Sequence, residues 1–549
     1  MKHVHAIWGA ALTAALASIQ SCSNVIDCST RRDCPSDFEA AAGSENASGG
    51  RAGEAGNGGA SGTSGEGGTD SASAGNGEAP PPTCDGSLSP DMDACVISDE
   101  FGIFVSPDGD DASADGTQAH PFATLTTALS KLKLERVYIC AADYAEPGMV
   151  EIPDRVSIYG GFSCDRGSWK YDSPFPAHLL PASPIGAMIT DAKVGVLIQD
   201  VRIDAENARA STSGGSSYGL IVNESQGVVL RQAEIRAGKA TAGTDGVGGA
   251  VAVDGIPSTA AQNGSAACSA MPMKGTALAQ STCGSKGGDG WPGYQTFDGG
   301  RGETGIPGEN LIAPAMNNGG AGTTEVGVAG SWGGDGGAGK PGVNGSAAAM
   351  AGQFSSASYL AASGGDGTDG FPGQGGGGGG ASKGTTCAGA SGGAGGMGGC
   401  GGHGGGGGAG GGTSIAVLSL NSTLTIDASV LTAGDGGAGG SGGAGSAGGI
   451  GMQGGRGGAS SPAQGVGKGG SGGNGGPGGN GGNGAGGSGG PSIALSWSGT
   501  KPLQMGTCHL NVGEGGKGGL GGRLGPDSTI WGPDGQPGAA EPIFPKDAP

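Results

Sequence analysis

The sequence predicts an all-β chain of stacked strand–corner–strand units broken by long glycine-rich excursions, and three observations carry that reading. First, residues 195–203, 227–235, 424–431 and 503–510 align with one another: two apolar residues at alternating positions, a two-residue corner, then a second alternating pair. Alternation at period two gives a strand with one buried face, and repetition of the unit lets each copy bury that face only against its neighbours. Second, glycine is segregated, with 10 in the 120 residues 85–204 and 42 in the 90 residues 401–490. Third, the glycine tracts have a period of three, as in Asn474, Pro477, Asn480 and Asn483, each separated by a glycine pair. Gly-Gly-X at that period suits a polyproline-II-type helix with X on one face. Glycine costs roughly 0.5–1 kcal/mol more than alanine to order. A net gain of about 1 kcal/mol per backbone hydrogen bond offsets this only if most groups pair. The tracts are therefore polyglycine-II-like or disordered, with the packed form favoured.

Taken in order, the chain opens with a short basic start, Met1-Lys2-His3, and an apolar run over 6–19. That run is too short to span a bilayer and fits the apolar core of a signal peptide. It ends in Ile19-Gln20-Ser21-Cys22, which resembles the lipobox of bacterial lipoproteins. The resemblance implies cleavage after residue 21, lipid on Cys22, and, from Ser23, sorting to the outer membrane. Residues 1–22 are thus read as signal peptide and lipobox. Residues 23–83, rich in Gly, Ser and Ala, are read as a flexible tether.

Residues 84–240 read as an N-terminal cap and the first rungs. Their alternating pattern resembles the right-handed parallel β-helix of pectin-lyase-like proteins. Phe104-Val105-Ser106-Pro107-Asp108-Gly109, followed by Asp115-Gly116-Thr117 and His120-Pro121-Phe122, resembles the start of a domain-of-unknown-function family of β-helical bacterial surface proteins. Residues 122–132 read as a short capping helix, which an open solenoid end needs. From Leu230 to Ile426 is 196 residues and from Ile426 to Met505 is 79, where one repeat takes roughly 20–45. The excess must leave the solenoid and return. This gives a glycine-rich excursion at 241–412, a rung at 413–434, a Gly-Gly-X excursion at 435–490, a rung at 491–513 and a glycine/proline-rich tail at 514–549. The excursions resemble the repeats of mycobacterial PE-PGRS proteins, although the PE domain is absent. The whole chain resembles a surface lipoprotein of the myxobacterial type.

An exported chain permits disulfides. Pairing by proximity would join Cys28 with Cys34, Cys84 with Cys95, Cys140 with Cys164, Cys268 with Cys283 and Cys387 with Cys400, one connectivity among many. Cys508 falls in a core column and reads as a small buried thiol. A net charge of −21 argues against a nucleic-acid partner.

Asp111, Ser113 and Asp115, with Asp108 and Asp110 nearby, have the opening spacing of a calcium loop. Position twelve is Phe122 where a bidentate glutamate belongs, so no metal is expected. Trp291, Tyr294 and Phe297, with Trp332 further on, could stack on sugars, but anchoring an excursion is the commoner use of such rings. The outward column Leu197, Val229, Thr425 and Gln504 holds no acid or base, and Arg202 beside Glu234 reads as a cross-strand ion pair. The expected function is therefore non-catalytic. It is a structural or adhesive lipoprotein, without cofactor, held at the outer membrane by its lipid and facing surface polysaccharide or other surface proteins. A polysaccharide lyase or hydrolase, and a glycan-binding module, are the alternatives.

Overall fold

The computed structural model describes residues 84–172, 174–307, 312, 316–348, 352–354, 359–525 and 530–545. Cys22, the Cys28 and Cys34 pair and the 23–83 tether lie outside the described residues. The chain divides after Val96 into two compact units. In the first, Cys84 and Cys95 form a disulfide around a turn that ends in a 3-10 helix, Ala94–Val96.

Three parallel sheets organise the second unit. The first holds Ile103–Val105, Arg136–Cys140, Ser157–Ser163, Val196–Gln199, Val228–Arg231, Leu424–Asp427 and Leu503–Met505, with the short Lys170–Tyr171 pairing antiparallel to Ser157–Ser163 at its side. The second holds Asp143–Glu146, Ala177–Pro181, Val201–Asp204, Glu234–Arg236, Val430–Thr432 and His509–Asn511. The third holds Val150–Glu151, Ile185–Thr190, Ser217–Asn223, Ser414–Leu420, Ser492–Ser498 and Ala540–Pro545. From Arg136 onward the chain visits the three sheets in fixed rotation, so each strand pairs with one laid down a turn earlier. Inward residues then fall into columns: Val137, Ile158, Ile198, Leu230 and Ile426 in the first sheet, and Tyr144, Leu179, Ile203, Ile235 and Leu431 in the second. The third contributes Val150, Ala187, Leu220, Val417 and Leu495. All of these belong to one continuous core. The helix Leu125–Ser130, shorter than expected, packs Leu125, Ala128 and Leu129 against its N-terminal end.

In the later turns two corners are fixed by a residue in the left-handed region. Asp200, Gln232, Ala428 and Gly506 stand at the corner from first to second sheet, with φ from 45° to 59°. Asp191, Glu224, Asn421 and Gly499 stand at the corner from third to first. The remaining corner, from second to third sheet, is where every long excursion departs. Two expectations change here. The 514–549 segment is more than a tail, because Ala540–Pro545 returns as a third-sheet strand beside Ser492–Ser498. The last first-sheet strand is also shifted by one residue: Leu503 faces Thr425 and Met505 faces Asp427, so Gln504, expected to face outward, follows Ile426. The cause is a three-residue corner, Gly506-Thr507-Cys508, where the preceding turn has two residues. Leu503 and Met505 are consequently exposed, and Cys508 is half-buried rather than buried.

The excursions at 241–412, 435–490 and 514–538 do not hang separately; they form one hydrogen-bonded lattice of extended rods. Amides of Gly393, Gly396, Gly399, Gly402, Gly405, Gly408 and Gly411 donate to the carbonyls of Gly470, Gly473, Gly476, Gly479, Gly482, Ala485 and Ser488 at 2.8–3.1 Å. The step of three on both strands is the signature of three-residue-per-turn rods. At the centre, three residues make six bonds to six different rods. Gly376 donates to Gly396 and accepts from Gly288, Gly377 donates to Gly334 and accepts from Gly473, and Gly378 donates to Glu303 and accepts from Gly320, all at 2.8 Å. Every backbone N–H and C=O of these three residues is satisfied, which is the condition for burying polar backbone without side chains. Depth can be read from spacing. The enclosed stretch 375–380 is unbroken glycine. The outer rod 330–345 keeps glycine only at 330, 333, 336, 339, 342 and 345, apart from Gly334 and Gly337.

The disulfides of this region join rods. Cys268 bonds Cys387 and Cys283 bonds Cys400, which corrects the pairing of Cys268 with Cys283 and of Cys387 with Cys400. Proximity in sequence misleads here, because a rod's neighbours in space come from distant returns of the chain. Cys140 bonds Cys164.

Candidate functional site

The densest group of ionisable side chains lies on the outward face of the second sheet. Parallel pairing stacks Asp143, His178, Arg202 and Glu234 in one column, and Asp204 beside Arg236 in the next. His178 lies between two carboxylates, with Nδ1 2.8 Å from Asp143 and Nε2 3.1 Å from Asp204. Arg202 grips Asp204 with two nitrogens, Nε at 2.9 Å, and reaches Glu234 only at 3.9 Å. Glu234 pairs more closely with Arg236, at 3.2 Å. Burial works to raise the Asp204 carboxyl, but its bonds to Arg202 and the nearby His178 outweigh it and hold the group below the usual carboxylate range. The expected Arg202–Glu234 pair is therefore one weak link in a six-residue ladder. Asp204 and Arg236 went unseen in the sequence because they lie two residues further along the same strands. His178 and Asp143 went unseen because their strands precede the aligned units.

The calcium-loop residues diverge. Asp111 accepts from the amides of Ala123 and Thr124 at 2.8 and 3.0 Å and from the Thr124 hydroxyl at 2.7 Å, leading the chain into the helix. Asp110 accepts from Ala112 and Ser113, and Asp115 from Thr117. The Asp108 amide donates to the Ser106 hydroxyl at 3.4 Å, within the same turn. No group of three potential metal ligands occurs among the described residues. The buried carboxylate of this region is Glu146, 1% exposed, which the sequence did not single out. It accepts from the amides of Leu125 and Thr126 at 2.7 and 3.0 Å and pins the helix to the second sheet. A cleft of about 550 Å³ beside that helix is floored by Leu129, Met149, Ile152 and Met188, with Glu151 as its one charge.

At the end of the lattice away from the sheets, the loops around 291–299, 323–330, 382–390 and 459–468 meet. Gly384 donates to the Phe297 carbonyl at 3.0 Å, Gln295 Nε2 to Thr386 at 2.7 Å, and the Thr385 hydroxyl to Gln464 at 2.7 Å. The aromatic group sits on this tip and is exposed: Trp291 41%, Tyr294 49%, Phe297 65% and Trp332 71%. The Trp291 ring lies over Gly300, where a β-carbon would come within 2.3 Å of it. Tyr294 and Phe297 meet edge to face, with centroids 6.4 Å apart and planes at 77°. An anchor would be covered. Trp291 is partly covered in this way, whereas Phe297 and Trp332 are mostly exposed.

No protein-family model matches the chain, and no curated protein matches it. Among solved structures, a rhamnogalacturonan lyase is similar to part of it, with 15% identity and a TM-score of 0.15. The match covers 25% of this chain and spans 36% of the lyase's length.

Proposed function

We propose that this is a non-catalytic adhesive or structural protein displayed on a bacterial surface. In this reading the three-sheet stack is a right-handed parallel β-helix, Cys22 carries lipid at the outer membrane, and the glycine tracts are PE-PGRS-like repeats. The observation that carries it is the lattice itself. From residue 391 to 412 a three-residue helix rises roughly 65 Å, so the rods hold an aromatic tip far from the sheets. A rigid spacer with an exposed end suits adhesion and has no obvious use in a hydrolase. Four disulfides accord with an oxidising, exported setting. The test is adhesion of cells expressing the full chain, compared with cells expressing a Cys22→Ser variant. Adhesion that survives with the protein released into the medium would remove the display reading.

One observation favours a second reading, a polysaccharide lyase or hydrolase. His178, Arg202, Asp204 and Glu234 gather on one open face, and such groups are the material of acid–base catalysis. Release of uronate or reducing sugar by the purified chain, abolished by His178→Ala, would establish it.

A further inference from the structure

We propose that one uncovered strip of the lattice docks a strand with glycine at every third position, residues 50–68 of a second copy of this chain. The strip lies on the rods 445–457 and 469–482, beyond the point where a neighbouring rod, 514–522, stops. That neighbour shows how a strand sits on this pair. Its carbonyls at Glu514, Lys517 and Leu520 accept from Gly436, Gly439 and Gly442 at 2.7–2.9 Å. Its amides at Gly516, Gly519 and Gly522 donate to Gly490, Gly487 and Gly484 at 2.8–2.9 Å. Further along, the same two rows continue without it. Among the described residues the carbonyls of Gly472, Gly475 and Gly478 accept no hydrogen bond, and the Gly451 amide donates none. The amides of Gly448, Gly454 and Gly457 are covered only by side chains of the adjacent rod, Asn480, Asn474 and Ser471, at 3.1–3.3 Å. Both rows keep the step of three, so they match the backbone of one more three-residue-per-turn strand.

The occupant follows from what the rods exclude. A β-carbon on Gly516, Gly519 or Gly522 would fall 1.9–2.0 Å from a carbonyl oxygen of the rod beneath, so a strand here needs glycine at every third residue. Its other two positions are free, as the outer rod 330–345 shows with Trp332, Lys340 and Val343. Outside the rods one stretch of sequence meets this rule, with glycine at 50, 53, 56, 59, 62, 65 and 68. Those residues lie outside the described ones. From 448 to 457 the strip runs roughly 28 Å at three residues per turn, and 50–68 covers that length with turns to spare. Charge agrees with the pairing. Neither rod of the strip carries a carboxylate, so Glu54 and Glu66 of the strand meet no like charge on them. Other outer faces are edged by Asp245, Asp254, Asp366 and Asp369. A second copy supplies the strand because lipid at Cys22 would hold chains side by side with 50–68 close to the anchor. That step rests on the display reading. Docking ends with one strand per strip, since its own side chains then face outward.

The test mixes two full-chain variants under mild oxidation, Pro477→Cys on the strip and Asn57→Cys in the strand. A disulfide-linked heterodimer is expected. Adding Gly56→Val and Gly59→Val to the Asn57→Cys chain should cut its yield at least tenfold. Moving the strip cysteine to Val251→Cys, an exposed position on the rod that holds Asp245 and Asp254, should do the same. Unchanged native disulfide maps would show that the variants are folded. No heterodimer, or equal yields from the valine strand or the Val251→Cys chain, overturns the proposal. A chain carrying both Pro477→Cys and Asn57→Cys that closes only on itself, at a yield independent of concentration, also overturns it, because the strand then serves its own chain. If the heterodimer forms while cells fail to adhere, the adhesive reading falls alone. If cells adhere and no heterodimer forms, only this site falls.

Discussion

The three-sheet stack and the glycine lattice bury chain by opposite means. In the stack, side chains fill the interior: Leu220, Val222, Ile235 and Val417 are fully covered, and the backbone is paired along the strands. In the lattice, the interior is backbone alone. Gly376, Gly377 and Gly378 satisfy six polar groups with six neighbours and leave no room for a carbon. The lesson is that close packing does not require apolar side chains. It requires that buried polar groups be paired and that space be filled. The two regions should therefore fail differently: the stack by losing atoms, the lattice by gaining them.

The largest effect should come from the disulfides that tie rods together. Replacing Cys268 and Cys283 with serine opens loops of 119 and 117 residues, each worth about 4–5 kcal/mol in a chain-entropy account. Limited proteolysis should then cut the tip loops while sparing 136–236, and cleavage spread evenly over both regions would erase the distinction.

Next is Gly395→Ala, whose β-carbon would fall 1.8 Å from the Gly376 carbonyl oxygen. Overpacking and a stranded carbonyl together cost about 4 kcal/mol. Gly148→Ala, with nothing within 4 Å, should change stability by less than about 0.5 kcal/mol. Hydrogen exchange of the 391–412 amides separates the two.

In the stack the converse change, Leu220→Ala, should cost about 3 kcal/mol through the cavity it leaves. Its accelerated exchange should be centred on 196–236 rather than on the rods.

The smallest effect is expected on the charged ladder. Arg202→Ala should cost no more than about 1 kcal/mol, since the pair is partly solvated. Asp204 has a lowered folded pKa, so its contribution is present above the unfolded value, about 3.9, and is lost as pH falls through the folded one. Melting curves of parent and variant should therefore converge in acid. A gap that widens there would mean that Arg202 acts through something other than Asp204.

Much of the stack was legible because strand alternation is local. Val196, Ile198, Val228 and Leu230 announce their inward face, and the parallel register follows from aligning them. The slip at Leu503 was not legible, since one extra residue in a corner leaves the apolar spacing intact. In the lattice the period of three was visible, but the pairing was not. Nothing in glycine distinguishes one neighbouring rod from another, so Cys268 could not be assigned to Cys387. At the tip, the rings were visible and their exposure was not. A cluster of aromatic residues reads alike whether it is covered or presented.

The outermost rods end in a detail that changes what the acidity of this chain means. Their outward amides are taken up by the protein's own carboxylates: Ser441 by Asp245, Ile450 by Asp254, Gly404 by Asp369, Gly407 by Asp366 and Gly521 by Asp534, at 2.7–2.8 Å. A bare row of such amides, spaced every third residue, would template one more rod, and that rod could come from another molecule. A lattice of this kind has no intrinsic size and would grow sideways into a fibril. The aspartates terminate the growth, much as they repel a second molecule in solution, so the negative charge works as the boundary that keeps a potentially endless material a single particle.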